Sequence, residues 1–143
     1  MLKNRLIPNI ILNEGNVVQS VNFKHTNVIG NAITAVDFFN SWAVDEIIVL
    51  DVSRTSNTRE KFHKIIRGLS KRCFIPLTVG GWISDIKEMS ILLKEGADKI
   101  SINTSAVKEP KLIKESSKFF GSQCIVISID VKKNQSGNYE VFI

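Results

Sequence analysis

Two short turns, one rich in glycine and one of small polar residues, carry the residue types most easily linked to chemistry. Gly80 and Gly81 end one apolar, β-branched run, and Asn103 and Thr104 end the next. Backbone N–H groups freed by glycine, beside hydroxyl and amide side chains, suit an oxyanion such as phosphate. Spacing alone does not separate this interpretation from a simpler one, in which the two glycines merely permit a tight turn.

The pattern around these turns predicts a strand, a helix and a second strand. Residues 75–79 form the first run, Ser84 is the expected N-cap of the helix, Gly96 is its expected C′ glycine, and residues 99–103 form the second run. Strands joined this way are parallel, with a right-handed crossover. Because ligands bind outside the carboxyl ends of parallel strands, both turns are expected to meet at one place.

The same unit repeats along the chain. Strands are predicted to begin near residues 5, 46, 75, 99 and 124, with helices over 32–43, 59–71 and 110–120, the last with Pro110 at its first position and Gly121 after it. Pro8 implies an edge or a bulge in the first strand. Val17 and Val18 indicate a small β excursion before a polar loop over residues 22–31, and a hairpin through residues 134–137 is expected after the fifth strand.

Repeated βα units of this size indicate either a doubly wound sheet or a (β/α)₈ barrel. A complete barrel takes roughly 250 residues, whereas this chain has 143 and ends after the fifth strand. An apolar sheet edge would otherwise be exposed. We therefore expect a single domain over residues 1–143 that is a truncated piece of a barrel, with completion by another chain as the alternative.

Composition narrows the function classes. The chain is 43% hydrophobic and 23% charged, and no apolar run reaches the ~20 residues of a membrane span. Two cysteines outside any CxxC pattern and two isolated histidines predict reduced thiols, a cytoplasmic location and no metal site, and no cofactor is expected. The net charge of +5 suits an anionic substrate, but no nucleic-acid motif accompanies it.

From residue 5 to residue 143 the sequence resembles the cyclase subunit of imidazole glycerol phosphate synthase, a (β/α)₈ barrel of histidine biosynthesis. The run GADKISINT, which follows a VGG turn, is the most specific match. The matching segments, all in register, are Gly15-x-Val-Val, Asn22-Phe23, Asp45-Glu46-Ile, Leu50-Asp51, Pro76-Leu-Thr-Val-Gly-Gly81, Gly96 to Thr104, Phe120-Gly-Ser-Gln and Ile129-Asp130.

The resemblance implies an enzyme that receives ammonia from a separate glutaminase subunit, at the amino-terminal end of the barrel. The ammonia would pass through the barrel to a bis-phosphate ribonucleotide at the carboxyl end. Asp130 matches one of two catalytic aspartates, which act as general acid or base. Gly81, Asn103 and Thr104 match positions that hold one substrate phosphate.

At the opposite end, Arg5, Glu46 and Lys99 match a ring of charges that gates the ammonia, and Asp98 faces the side where the glutaminase would dock. Each of the three charged residues lies at or near the start of an apolar strand, so their heads can meet at the barrel floor. Spacing alone indicates a stabilising layer there; the gate is what the resemblance implies.

Three positions depart from the family pattern. The other catalytic aspartate is replaced by Ile11, which cannot transfer a proton, so two-carboxylate chemistry cannot run as usual. A substrate-binding lysine is replaced by Gln19, which removes a charge that pairs with phosphate. The third residue of the glycine turn is Trp82, which is bulky beside a phosphate and is expected to weaken its binding.

Three functions remain open. We favour an ammonia-using subunit of a glutamine amidotransferase complex, from a paralogous branch that installs amidino nitrogen on surface-polysaccharide sugars, with a phosphorylated or nucleotide-sugar substrate. One alternative is the genuine histidine-pathway cyclase, a lyase, which Ile11 and Gln19 disfavour. The other is a catalytically silent half-barrel scaffold, which Asp130 and the charge set at the floor disfavour.

Overall fold

A computed structural model describes residues 4–21 and 25–143 of the chain. A seven-stranded sheet dominates it, in the order β3-β2-β1-β4-β5-β6-β7. The strands are β1 (Asn9–Asn13), β2 (Asn16–Val21), β3 (His25–Gly30), β4 (Ile47–Asp51), β5 (Leu77–Gly80), β6 (Lys99–Ile102) and β7 (Ile125–Ile127). A separate hairpin pairs β8 (Val131–Lys133) with β9 (Tyr139–Val141).

Helices connect the parallel strands. They are α1 (Ala32–Ser41), α2 (Arg59–Ser70), α3 (Ile86–Lys94), α4 (Thr104–Lys108) and α5 (Lys111–Phe120), with 3₁₀ turns at Ser56–Thr58 and Ser122–Cys124. None of the helices in residues 4–21 and 25–143 combines the length and hydropathy of a bilayer-spanning segment.

The five predicted parallel strands are confirmed, in chain order from β1 through β4, β5 and β6 to β7. Each new strand adds beside the previous one, which is how a (β/α)₈ barrel grows. The sheet is open rather than closed, as a partial barrel must be.

Alternation along the strands gives the sheet two different faces. The helix-covered face is the core, where the strand side chains are at most 1% exposed; these are Ile47, Val49, Leu77, Val79, Ile100 and Ile102. Helices contribute fully buried residues such as Val36, Ile66 and Met89 to the same cluster. The opposite face carries polar residues, including Glu46, Thr78 and Ser101.

Several predicted boundaries were wrong. The first strand starts at Asn9, because Pro8, which lacks an N–H, stands just before it. Residues 25–30 are a strand rather than a loop, since they pair antiparallel with β2; residues 22–24, including the matched Asn22 and Phe23, lie outside the described residues. The fifth strand covers only Ile125–Ile127 and is half-buried, because β7 is the edge of the sheet.

Two helix starts also shift by one residue. Asp85, not Ser84, caps α3, because its carboxylate accepts a hydrogen bond from the N–H of Glu88 at 2.8 Å. Pro110 is the N-cap of α5 rather than its first helical residue. The predicted closing glycines are confirmed, since Gly96 and Gly121 follow α3 and α5 with φ of 106° and 90°. The hairpin through residues 134–137 is also confirmed.

Candidate functional site

The glycine turn lies at the carboxyl end of β5, where close packing alone requires glycine. A Cβ on Gly81, whose φ is 105°, would lie 2.3 Å from the carbonyl oxygen of Asp51. A Cβ on Gly80 would lie 2.6 Å from Cδ2 of Leu50 and 2.9 Å from the carbonyl oxygen of Ser101. Both glycines therefore allow three strand ends to approach, whether or not a ligand binds.

The polar turn after β6 meets the end of the fifth parallel strand. Nδ2 of Asn103 donates a hydrogen bond to Oδ2 of Asp130 at 2.9 Å and lies 3.5 Å from Oγ of Ser128. Asp130 is exposed, and Thr104 opens the short helix α4. The structure thus brings three predicted residues, Asn103, Thr104 and Asp130, to one edge of the sheet.

Unpaired backbone donors lie at this edge. The N–H groups of Gly81, Trp82 and Thr104 donate no hydrogen bond to any described residue. Unpaired N–H groups at strand and helix ends attract anions. The arrangement is compatible with a bound phosphate, which stays a prediction.

Trp82 does not lie over the polar turn. Its indole Nε1 donates to the carbonyl oxygen of Ser53 at 2.7 Å, so the ring extends toward the loop after β4, while Asn103 follows β6 on the other side of β5. Its φ is 58°, which is uncommon for a bulky residue. The expected weakening of phosphate binding by Trp82 is untested.

The two other departures from the family pattern lie on β1 and β2. Ile11 pairs with Leu50, which pairs with Gly80, so all three share the polar face of the sheet. Ser101 stands next in this row, two residues before Asn103. An aliphatic side chain therefore occupies a position on the face that carries Asp130. Gln19 is exposed on β2.

At the opposite end of the strands, the Glu46 carboxylate accepts hydrogen bonds from three side chains. Its carboxylate accepts from Nζ of Lys99 at 2.7 Å, from the hydroxyl of Thr78 at 2.6 Å and from Nη1 of Arg5 at 3.3 Å. Burial alone would raise the pKa of Glu46. The hydrogen bonds from Lys99 and Thr78, with the charges of Lys99 and Arg5, outweigh burial and lower it. The expected meeting of Arg5, Glu46 and Lys99 is confirmed.

Two aspartates that precede strands each form a pair of hydrogen bonds with the backbone of one neighbouring residue at this same end. The N–H and Oδ2 of Asp98 pair with the C=O and N–H of Leu77, both at 2.8 Å. Asp45 does the same with Leu6, at 3.0 and 2.7 Å. Sequence reasoning missed this role, although the recurrence of Asp before an apolar strand was a usable signal. The predicted docking role of Asp98 stays a prediction.

Asp51 ends β4 in a structural role, as its position suggested. Its Oδ1 accepts from the N–H of Ser53 at 3.0 Å and from the Ser53 hydroxyl at 2.5 Å, which fixes the turn after the strand. Asp51 lies in register with Leu12 on the helix-covered face. It therefore faces away from Asp130. Among the described residues, no group of three or more His, Cys, Asp and Glu could hold a metal ion.

Parallel strands that add in chain order, helices on one face, and a polar, glycine-bearing carboxyl end define a partial (β/α)₈ barrel. The model of the histidine biosynthesis protein family matches residues 5–143, and the chain belongs to this family. The relatives that the chain matches within this family are named as imidazole glycerol phosphate synthase subunits.

Three relatives show the extent of the match. The chain is 47% identical over 142 residues to a Vibrio vulnificus protein provisionally named imidazole glycerol phosphate synthase subunit hisF2. It is 44% and 42% identical to imidazole glycerol phosphate synthase subunits HisF of Staphylococcus carnosus and Bacillus cereus. These alignments cover 96–100% of this chain but 52–57% of the relatives. The chain thus spans about half the length of the curated relatives it matches.

Proposed function

We propose that the protein is an ammonia-using synthase subunit of a diverged branch, which transfers nitrogen to a sugar of surface polysaccharide with ammonia from a glutaminase partner. The observation that carries the proposal is the polar face of the sheet. Asp130 lies at its carboxyl end, hydrogen-bonded to Asn103, yet Ile11 stands on this face where the family's chemistry needs a second carboxylate.

Asp130 is proposed as the catalytic residue. It is exposed at the carboxyl end of the strands and holds one hydrogen bond, from Asn103, so its other oxygen is available to a substrate. A carboxylate there can accept a proton from the attacking nitrogen and return it to a leaving oxygen. Gly80, Gly81, Asn103 and Thr104 are proposed to hold a phosphate of the substrate, through the unpaired N–H groups and the Thr104 hydroxyl.

The charge cluster on Glu46 is proposed as the ammonia gate. Lys99 and Arg5 remain 27% and 59% exposed, so they can move away from the buried carboxylate without unfolding the sheet. A layer with no passage to control would be more stable if it were apolar, because burying an ion pair costs desolvation energy. Asp98, exposed at this end, is proposed to contact the glutaminase.

The histidine-pathway cyclase is the second candidate, favoured by the similarity to the imidazole glycerol phosphate synthase subunits of Staphylococcus carnosus and Bacillus cereus. Ile11 and Gln19 argue against it, because they remove a proton-transfer group and a cation that would pair with phosphate. A catalytically silent scaffold is the third candidate, and Asp130 argues against it, because a scaffold would need no catalytic carboxylate at this position.

Complementation separates these candidates. The full-length protein is expected not to rescue a histidine auxotroph that lacks the cyclase, whereas growth at the wild-type rate would establish the histidine pathway. The Ile11→Asp variant tests whether the missing carboxylate is the reason. In parallel, the purified protein is offered ammonia, or a glutaminase with glutamine, together with sugars that can accept an amidino nitrogen. No ammonia-dependent product from any of them would contradict the proposed reaction.

A further inference from the structure

A pocket of about 190 Å³ lies at the carboxyl end of β4 and β5, on the helix-covered side of the sheet. Asp51 forms part of it, so it opens away from the face that carries Asp130. It is lined by Asp51, Thr55, Arg59, Trp82, Ser84, Asp85 and Glu88. Pockets that enclose a whole drug-sized ligand have roughly 300–1,000 Å³. This one therefore fits a single ring or a small group, with the remainder of a ligand outside.

An aromatic ring forms one wall. Trp82 is 52% exposed, yet its indole is fixed by the hydrogen bond from Nε1 to the carbonyl oxygen of Ser53. The residue also holds an unfavourable left-handed φ of 58°. An ordered, half-exposed indole offers a flat apolar surface for stacking at little cost in side-chain entropy.

One residue that lines the pocket, Arg59, has a buried donor without a partner. Nη1 of Arg59 is buried without a hydrogen-bond partner among the described residues. It lies 3.6 Å from Oδ2 of Asp51, beyond hydrogen-bond distance. Its other guanidinium nitrogens donate to Oε1 of Glu88. An unsatisfied buried donor is costly, and native structures keep few of them.

A ligand hydroxyl group suits the space between Nη1 of Arg59 and Oδ2 of Asp51 better than other groups do. It can accept from Nη1 of Arg59 while it donates to Oδ2 of Asp51, which accepts no hydrogen bond from the described residues. The hydroxyls of Thr55 and Ser84, unpaired among the described residues, can each bond a further hydroxyl. A cationic ligand would suit the three carboxylates and the indole, but it would leave Nη1 unsatisfied.

We propose that this pocket binds one ring of a carbohydrate, with the apolar face of the sugar stacked on Trp82 and a hydroxyl between Arg59 and Asp51. The site is separate from the phosphate-binding residues and from Asp130. A substrate or product with a saccharide part could anchor that part here while its reacting group lies elsewhere.

The test uses nuclear magnetic resonance on the full-length protein with a ¹⁵N-labelled indole. The Trp82 signal is assigned by its loss in Trp82→Phe, and the Trp42 signal is the internal control. D-glucose and N-acetyl-D-glucosamine are the probes. D-mannitol is the control for an open-chain polyol, tetramethylammonium for a cation, and inorganic phosphate for the neighbouring anion site. We expect a saturable shift of Trp82 with at least one of the two sugars and none with the three controls.

Trp82→Gly is the variant that keeps the fold, because glycine adopts a φ of 58° without strain. Because this variant has no Trp82 signal, its affinity and that of the unmodified protein are compared through the resonances of the sugar itself. The variant is expected to bind the sugar about tenfold more weakly or not at all, with a melting temperature equal to or above that of the unmodified protein. The inference is overturned by unchanged affinity in Trp82→Gly, by no saturable shift with either sugar, or by an equal shift with mannitol or with the cation. Since no step of this test needs ammonia or a glutaminase, a failed amidation assay and a failed sugar titration are distinguishable.

Discussion

The two ends of the parallel strands differ in how completely their polar groups are paired. At the amino-terminal end, the Glu46 carboxylate has three donors. Asp98 forms two hydrogen bonds with Leu77 of β5, and Asp45 forms two with Leu6, which precedes β1. At the carboxyl end, the N–H groups of Gly81 and Thr104 are unpaired among the described residues.

Positive φ, in contrast, does not distinguish the two ends. It occurs at Gly81 and Trp82 after β5, and also at Ala43, Gly96 and Gly121 in the connections that precede β4, β6 and β7. Unpaired donors reduce stability and persist where a site must be open to a ligand. The comparison of hydrogen bonding teaches that the amino-terminal end stabilises the sheet, whereas the carboxyl end keeps donors with which a ligand is expected to pair.

The largest expected effect is on the reaction. Asp130→Asn removes the carboxylate that is proposed to transfer protons, so ammonia-dependent turnover should fall about 10²–10⁴-fold. The melting temperature should stay unchanged, because Asp130 is exposed and Asn can still accept from Asn103. Steady-state kinetics and thermal unfolding measure both. Asp37→Asn, on the outer helix α1, is the control and should keep full activity; an active Asp130→Asn variant would remove Asp130 from the mechanism.

Gly81→Ala should break the carboxyl end by steric overlap. The new Cβ would meet the carbonyl oxygen of Asp51 at 2.3 Å, in addition to the cost of a positive φ. The free energy of unfolding should fall by about 2–5 kcal/mol, from roughly 1–2 kcal/mol of backbone strain plus overpacking. Gly137→Ala is a matched control with a φ of 84° and no atom within 4 Å. Denaturant titration should show that Gly137→Ala loses only the roughly 1–2 kcal/mol that comes from backbone strain. Equal losses of unfolding free energy in the two variants would mean that the contact with Asp51 is unimportant.

Glu46→Gln tests the paired end. The amide keeps the shape but loses the charge that holds Lys99 and Arg5, so the free energy of unfolding should fall by about 1.5–3 kcal/mol. The control is Glu60→Gln on the exposed face of α2, which should change stability by less than about 0.5 kcal/mol. Denaturant titration of both variants measures the two changes. Equal stability of the two variants would show that the Glu46 cluster makes no net contribution to the free energy of unfolding.

The same carboxylate gives a pH dependence with a defined sign. The pKa of Glu46 lies below the ordinary value of 4.5, so the folded state binds fewer protons than the unfolded state in the interval between the two values. The stabilisation is fully present above pH 4.5 and is lost as the pH falls through the lowered pKa. The unfolding free energies of the unmodified protein and of Glu46→Gln should converge in this acid range. A difference between them that stays constant as the pH falls would contradict the lowered pKa.

The smallest expected effect is on anion binding at the open end. Thr104→Val removes a hydroxyl but keeps the shape, so the dissociation constant for inorganic phosphate should rise about two- to tenfold, in line with the roughly 0.5–1.5 kcal/mol of one hydrogen bond. Calorimetric titration with phosphate measures it, and crystals soaked in phosphate should show density beside Gly81. Thr26→Val on the β2–β3 hairpin is the control, and an equal effect there would exclude the proposed site.

Much of the fold could be predicted from the sequence, because strands, helices and helix ends are largely determined by neighbouring residues. Apolar runs spaced by amphipathic helices predicted five parallel strands, and glycines after helices marked their ends. The first strand, the N-cap of α3 and the β2–β3 hairpin were misplaced, because each depends on a competition between neighbouring residues. Ser84 and Asp85 are both good N-caps, for example, and only the backbone geometry selects Asp85.

By itself the sequence determined which residues could do chemistry, since Asp130, Ile11 and the glycine turn are facts of residue type. It also determined that Glu46, Lys99 and Arg5 lie on one end of the sheet, because strand starts align in a parallel sheet. Only the tertiary structure decided how these groups are used. It paired Asn103 with Asp130, directed Trp82 toward Ser53, and left Nη1 of Arg59 buried without a partner. The two contacts join residues that are 27 and 29 positions apart in the sequence. No local sequence pattern predicts contacts at such separations or the missing partner of a buried atom.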